Sequence, residues 1–146
     1  MEFFKKLWQS YWDSMERDAN RRRVFEGGGL QIEGDWVSRE IHLNGQKLEL
    51  EILSKNKVRH NLDRFCWGED SPESCTTALA ILLWFQTREE AFSLRQAFLR
   101  DYISKCQKDF RFWFPFERWR NTHPEIFRKL KKKPVDTESL DPEDDD

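Results

Sequence analysis

The sequence predicts an α+β fold, a small antiparallel sheet packed on two central helices with accessory helices at both ends. Three observations carry this. Residues 30–53 alternate apolar and polar at every second position. Asn44-Gly45 divides that alternation into two runs, which is a hairpin signal. Residues 72–108 then hold a nearly uncharged helical run followed by a capped amphipathic one. A chain of 146 residues is long enough to bury one core.

In order along the chain, residues 2–23 read as an amphipathic helix. Phe4, Trp8, Tyr11, Trp12, Met15 and Ala19 recur at three- and four-residue steps, and Phe3 and Leu7 widen the stripe. Lys5, Lys6, Asp13, Glu16 and Arg17 fill the other side, and Arg21, Arg22 and Arg23 suit a helix C-terminus. Gly27-Gly28-Gly29 ends the helix and reads as a flexible link. It lacks the lysine and the strand–loop–helix context of a phosphate-binding loop.

Leu30-Gln31-Ile32 suggests a short strand. Trp36, Ile41 and Leu43 form the first arm of the hairpin, with a bulge expected in Ser38-Arg39-Glu40. Leu48, Leu50 and Ile52 alternate with Lys47, Glu49 and Glu51 as its second arm. Residues 54–64 are a polar connection anchored by Val58 and Leu62.

Ser71, Pro72 and Glu73 have the chemistry of a helix start: a capping hydroxyl, a proline in the first turn, and an acid at the positive end of the dipole. From Thr76 to Phe85 the helix has scarcely a polar side and should be covered nearly all round. Thr87-Arg88-Glu89-Glu90 is a capping box opening a second helix to about Lys108, with Ala91, Leu94, Phe98 and Tyr102 as its stripe. The two helices could be continuous with a kink or form a hairpin.

Residues 110–133 interleave seven aromatics with eight bases. Phe114-Pro115 excludes a continuous helix, and Thr122-x-x-Glu125 opens a short one to about Lys132. Residues 134–146 carry seven acids and no base; setting them aside leaves 20 acids against all 25 bases, a body charge of +5. The chain therefore divides into an aromatic helix at 1–26, a core at 27–109, a basic-aromatic segment at 110–133 and an acidic disordered tail at 134–146.

No catalytic, cofactor or metal constellation is legible. His60, Cys66 and Cys75 stand six and nine residues apart, without the close pair that structural zinc sites use. Cys75 near a helix start could be an activated thiol, but nothing places His42, His60 or His123 beside it as a base. Glu69, Asp70 and Glu73 read as companions of a helix N-terminus before they read as acid/base or Mg²⁺ ligands. Three cysteines without framework spacing, no signal peptide and no membrane-length apolar run point to a reducing cytoplasm.

The stretch Phe65, Trp67, Gly68, Ser71, Pro72, Ala78, Leu79, Ala80 and Leu82 resembles a family of small uncharacterised bacterial and phage proteins. In that family an aromatic-x-Trp-Gly turn leads through a Pro step into an Ala-Leu-Ala helix. The resemblance covers about residues 30–106. It implies an α+β core and no activity, and Glu69-Asp70-Ser71 departs from the glycine-rich, aromatic family turn.

The expected function is that of a non-enzymatic cytoplasmic adaptor docking on a larger protein or nucleoprotein assembly. The contact residues would be Trp8, Trp12, Arg111, Trp113, Phe116, Arg118, Trp119, Arg120, Lys131 and Lys132, because Trp and Arg dominate interface energetics. Core closure by the rings of 110–119 is the competing reading. Single-stranded nucleic-acid binding by the same patch is the alternative function, and a metal-dependent hydrolase or nuclease at Glu69, Asp70 and Glu73 a further one. No cofactor is implied, and a small-molecule ligand is left open.

Overall fold

The computed structural model describes residues 2–126. Helix α1 (Glu2–Gly27) leads into a four-stranded sheet of β1 (Leu30–Asp35), β2 (Glu40–Leu43), β3 (Gln46–Lys47) and β4 (Phe110–Phe114). Between β3 and β4 come α2 (Glu51–Lys55), α3 (Pro72–Leu83), α4 (Arg88–Asp101) and a 3-10 turn at Ile103–Lys105; α5 (Phe116–Asn121) follows β4. The spatial order is β3-β2-β1-β4, all antiparallel, so the last strand returns beside the first. This is the α+β class expected.

The hairpin at Asn44-Gly45 forms as a type I′ turn, with φ of 51° and 82° at the two residues. Its second arm is shorter than the alternation suggests. Pairing ends at Lys47, and Glu51–Lys55 is helical. Leu48 and Leu53 both reach the core; five residues apart, they would fall on opposite faces of one continuous strand, and the change to helix at Glu51 brings both inward. The first strand, by contrast, is longer than expected. It occupies all of Leu30–Asp35, and residues 36–39 are the β1–β2 turn rather than a bulged strand. Asp35 closes that turn: its carboxylate accepts from the Val37 backbone at 2.9 Å, and its carbonyl accepts from Arg39 N–H at 2.7 Å.

Helices α3 and α4 pack as a hairpin. Ser71 caps α3 by accepting from Ser74 N–H at 3.2 Å with Pro72 in the first turn, and Thr87 caps α4 by accepting from Glu90 N–H at 3.3 Å. Each such cap is worth about 1 kcal/mol. Every residue from Thr77 to Gln86 is buried, as the uncharged run requires. Helix α4 ends at Asp101, short of Lys108, because Tyr102 leaves helical geometry at φ −131° to turn the chain back toward β4.

Strand β4 carries the chain past residue 109 back into the sheet. It pairs with β1 along its length, from Leu30 opposite Phe114 to Gly34 opposite Phe110. Its even residues, Phe110, Phe112 and Phe114, face α4 and its odd ones, Arg111 and Trp113, face out. Tyr102 stacks on Phe112 at 5.4 Å, and Phe98 lies 4.6 Å from Phe114. Pro115 then starts α5, which turns Phe116 and Trp119 inward as well.

Two of the three glycines, Gly28 and Gly29, meet a backbone requirement where the sequence suggested a flexible link. Gly28 takes φ +78° past the helix end. A Cβ on Gly29 would strike the Phe114 carbonyl, so only glycine lets α1 hand over to the sheet there. Among the described residues no helix is long and apolar enough to cross a membrane.

Candidate interaction surfaces

The turn before α3 is a structural lock. Trp67 is buried, and its indole N–H donates to the carbonyls of Gln107 and Lys108 at 2.9 and 3.0 Å. Gly68, at φ +91°, donates its N–H to the Ile103 carbonyl at 3.0 Å. The Trp67 ring meets Trp36 and Phe110 edge-on at 5.4 and 5.1 Å. These bonds tie the α3 entry to the chain leaving α4. Glu69, Asp70 and Glu73 are all exposed, and among the described residues no three His, Cys, Asp or Glu are placed to hold a metal ion.

Of the residues expected to contact a partner at the C-terminal side, the structure separates two kinds. Arg111, Trp113 and Arg118 are exposed. Arg111 makes a cross-strand ion pair with Glu33 at 3.2 Å while its side chain stays largely in solvent. Phe116 and Trp119 are corrections: they belong to the core, where Phe116 packs on Phe85 at 4.9 Å and Trp119 on Phe114 at 5.3 Å. Arg120 is half-buried over the Phe25 ring at 5.2 Å. Lys131, Lys132, the acidic tail and most of the last expected helix lie outside the described residues, which are helical at 124–126. Among the described residues of this segment, Trp113, 50% exposed, is the one outward ring available as a nucleic-acid stacking platform.

Burial also places a carboxylate that the sequence did not single out. Asp101 accepts from the Trp119 indole at 2.8 Å and lies 3.1 Å from His123 Nε2. Burial pushes its pKa up, but the hydrogen bonds from Trp119, His123 and Arg100 outweigh that and leave it below the ordinary value. The arrangement pins α5 and its successor to the end of α4. It is a structural anchor, since Trp119 fills the position beside the carboxylate.

The largest open feature is α1. Where α1 meets the body its side chains are mostly polar: Asp13, Ser14, Arg17, Asn20 and Arg21 lose solvent together with Ala19, before Val24 enters the core. Asn20 is buried and donates to the Trp84 carbonyl at 3.1 Å, satisfying a carbonyl left open at the α3 C-terminus. Arg21 pairs with Glu90 at 3.3 Å and Asp13 with Lys55 at 3.6 Å. A cleft of about 740 Å³ separates this polar side from the body around Leu48 and Ile52. The aromatic side points the other way. Phe3, Phe4, Leu7, Trp8, Tyr11, Trp12 and Met15 are all exposed, with Trp8 at 60% and Trp12 at 56%.

That orientation inverts the usual amphipathic helix, whose apolar stripe faces its own core. The sequence reveals the stripe but not which way it faces. No family model matches this chain, and no curated protein and no solved structure is similar to it.

Proposed function

We propose that the protein is a non-enzymatic adaptor that docks on a larger protein or nucleoprotein assembly through the aromatic face of α1. One observation carries the reading: seven large apolar side chains on one helix are exposed to solvent while polar side chains further along hold the helix in place. Folded monomers rarely present so continuous an apolar surface unless something covers it. Trp and Tyr are also the residue types that anchor interfaces, because they bury much area at little rotamer cost. Trp8 and Trp12 are the central anchors; Trp113, Arg111 and Arg118, on other elements, are auxiliary. Cys66, Cys75 and Cys106 are thiols, which fits a cytoplasmic setting.

The test is site-specific photocrosslinking in the native host. A benzophenone amino acid at Trp8 or Trp12 is expected to give one discrete protein adduct. The same group at Val37, which is 93% exposed on a turn, serves as the exposure control. Adducts equally frequent at all three positions, or none at Trp8 and Trp12 in folded protein, would remove the proposal.

A further inference from the structure

Strand β4 is an edge of the sheet: in the order β3-β2-β1-β4 its far side has no described strand. The pairing fixes which of its backbone groups face that side. Asn44 N–H donates to the Gln31 carbonyl at 2.9 Å, so Gln31 turns its backbone toward β2. Antiparallel strands alternate sides residue by residue, so Glu33 and Asp35 do the same, and Leu30, Ile32 and Gly34 turn theirs toward β4. Their partners there are Phe114, Phe112 and Phe110. The N–H and C=O groups of Arg111 and Trp113 are left pointing off the edge, and among the described residues nothing is bonded to them there.

The side chains of the same two residues stand on the open face of the sheet, and both are exposed. Natural edges are guarded by short strands, prolines and charges. Here Pro115 limits the strand at one end, and the one charge on β4, Arg111, is balanced by Glu33 of its own chain at 3.2 Å. A paired guanidinium is a weak guard: it no longer repels a second strand carrying the same pair, and its planar face remains free to meet an aromatic ring.

We propose that this edge pairs with the same edge of a second copy of the chain, β4 antiparallel to β4 about a two-fold axis through Phe112. With Phe112 opposite its own counterpart, Arg111 lies opposite the partner's Trp113, and Trp113 opposite the partner's Arg111. Each of these pairs exchanges two main-chain hydrogen bonds and sets a cation against an electron-rich indole, so the edge is complementary to itself in charge. The register is specified as well. Sliding it by one step of the ladder in one direction sets Arg111 against the partner's Arg111, two like charges face to face. Sliding it in the other direction sets Arg111 against the partner's Pro115, which has no N–H to give. An arbitrary strand would supply only the main chain, whereas a second copy supplies the main chain, the indole and the guanidinium in one register. The inference does not rest on the α1 reading, and it gives Arg111 and Trp113 a partner of their own.

Sedimentation equilibrium and amide hydrogen exchange of the full chain, over a range of protein concentrations, provide the test. A reversible dimer is expected. The Arg111 and Trp113 amides should exchange fast on dilution and become protected as dimer forms, while the Phe112 amide, turned toward β1, stays protected throughout. Trp113→Lys sets two like-charge pairs across the axis and should weaken the dimer by at least about tenfold. Trp113→Glu sets two opposite-charge pairs there and should stay within about threefold of the parent. Both changes fall on an exposed side chain, so a difference between them reads the pairing and not the fold. Trp8→Ala with Trp12→Ala should leave the dimer unchanged. A monomer up to about 1 mM, a dimer whose Arg111 and Trp113 amides stay unprotected, equal effects of lysine and glutamate, or loss of the dimer with the α1 variants would each overturn the proposal. Edge amides protected at every dilution in a monomer would overturn it too, because the chain would then cover its own edge.

Discussion

The Phe110 ring lies directly over Gly34, on the neighbouring strand, so closely that a Cβ at position 34 would overlap its Cε2 and Cζ atoms. The pair sits beside Trp67, whose ring is 5.1 Å from Phe110. A missing side chain on one strand is filled by an aromatic on the next, and this seats the ring that backs the α3 entry. Gly34→Ala is therefore expected to lower stability by about 1–3 kcal/mol through overpacking. Urea denaturation would show it as a lower midpoint at unchanged slope. A neutral result would mean that the ring has room to move.

Asp101 links stability to acid. Its folded pKa lies below the ordinary value of 3.8, so the native state holds fewer protons there than the unfolded one. The stabilisation is complete above the unfolded pKa and is lost as pH falls through the folded value. Asp101→Asn is expected to lower stability at pH 7 by about 1 kcal/mol, by weakening charge-assisted bonds to Trp119 and His123. The variant should also show a shallower loss between pH 5 and pH 3 than the parent. Melting curves across that range check both.

The inverted helix predicts a split among the tryptophans. Trp8, Trp12 and Trp113 are half or more exposed, whereas Trp67, Trp84 and Trp119 are buried. In the isolated protein, iodide should quench variants that retain only Trp8 or Trp12 strongly, and variants that retain only Trp67 or Trp84 weakly. Trp8→Ala and Trp12→Ala should each leave stability within about 0.5 kcal/mol, because neither ring is packed. Strong shielding of Trp8 in the monomer would contradict the outward orientation.

Cys106 should be the inert thiol. Burial pushes its pKa up to about 12, and its thiol hydrogen-bonds the Tyr102 carbonyl at 3.4 Å. At pH 8 only about one molecule in ten thousand would carry the thiolate that reacts. Iodoacetamide at that pH is expected to leave Cys106 unmodified in the native protein and to modify it in urea. Peptide mass mapping separates the two states.

The local devices of this fold could be read directly from neighbouring residues. Ser71-Pro72 and Thr87-x-x-Glu90 start their helices because a hydroxyl reaches an amide only two or three residues away. Asn44-Gly45 turns because those two residues tolerate positive φ. The covered run at 77–86 follows from its lack of charge. Leu48-Leu50-Ile52 misled because three alternating positions do not separate a strand from the approach to a short helix, and only the core decides between them.

The sequence alone determined where α3, α4 and the Asn44-Gly45 turn begin, since those choices are made over distances of three or four residues. Tertiary structure decided which side of α1 meets the body, that Phe116 and Trp119 lie inside while Trp113 does not, and that β4 lies at the edge of the sheet. The physical reason is one of range. A hydrophobic stripe records that a surface wants cover, and the identity of the cover depends on what distant segments have already filled. Here β4 and α5 fill the site beside the core, and the polar bonds of Asn20 and Arg21 hold α1 with its rings turned outward.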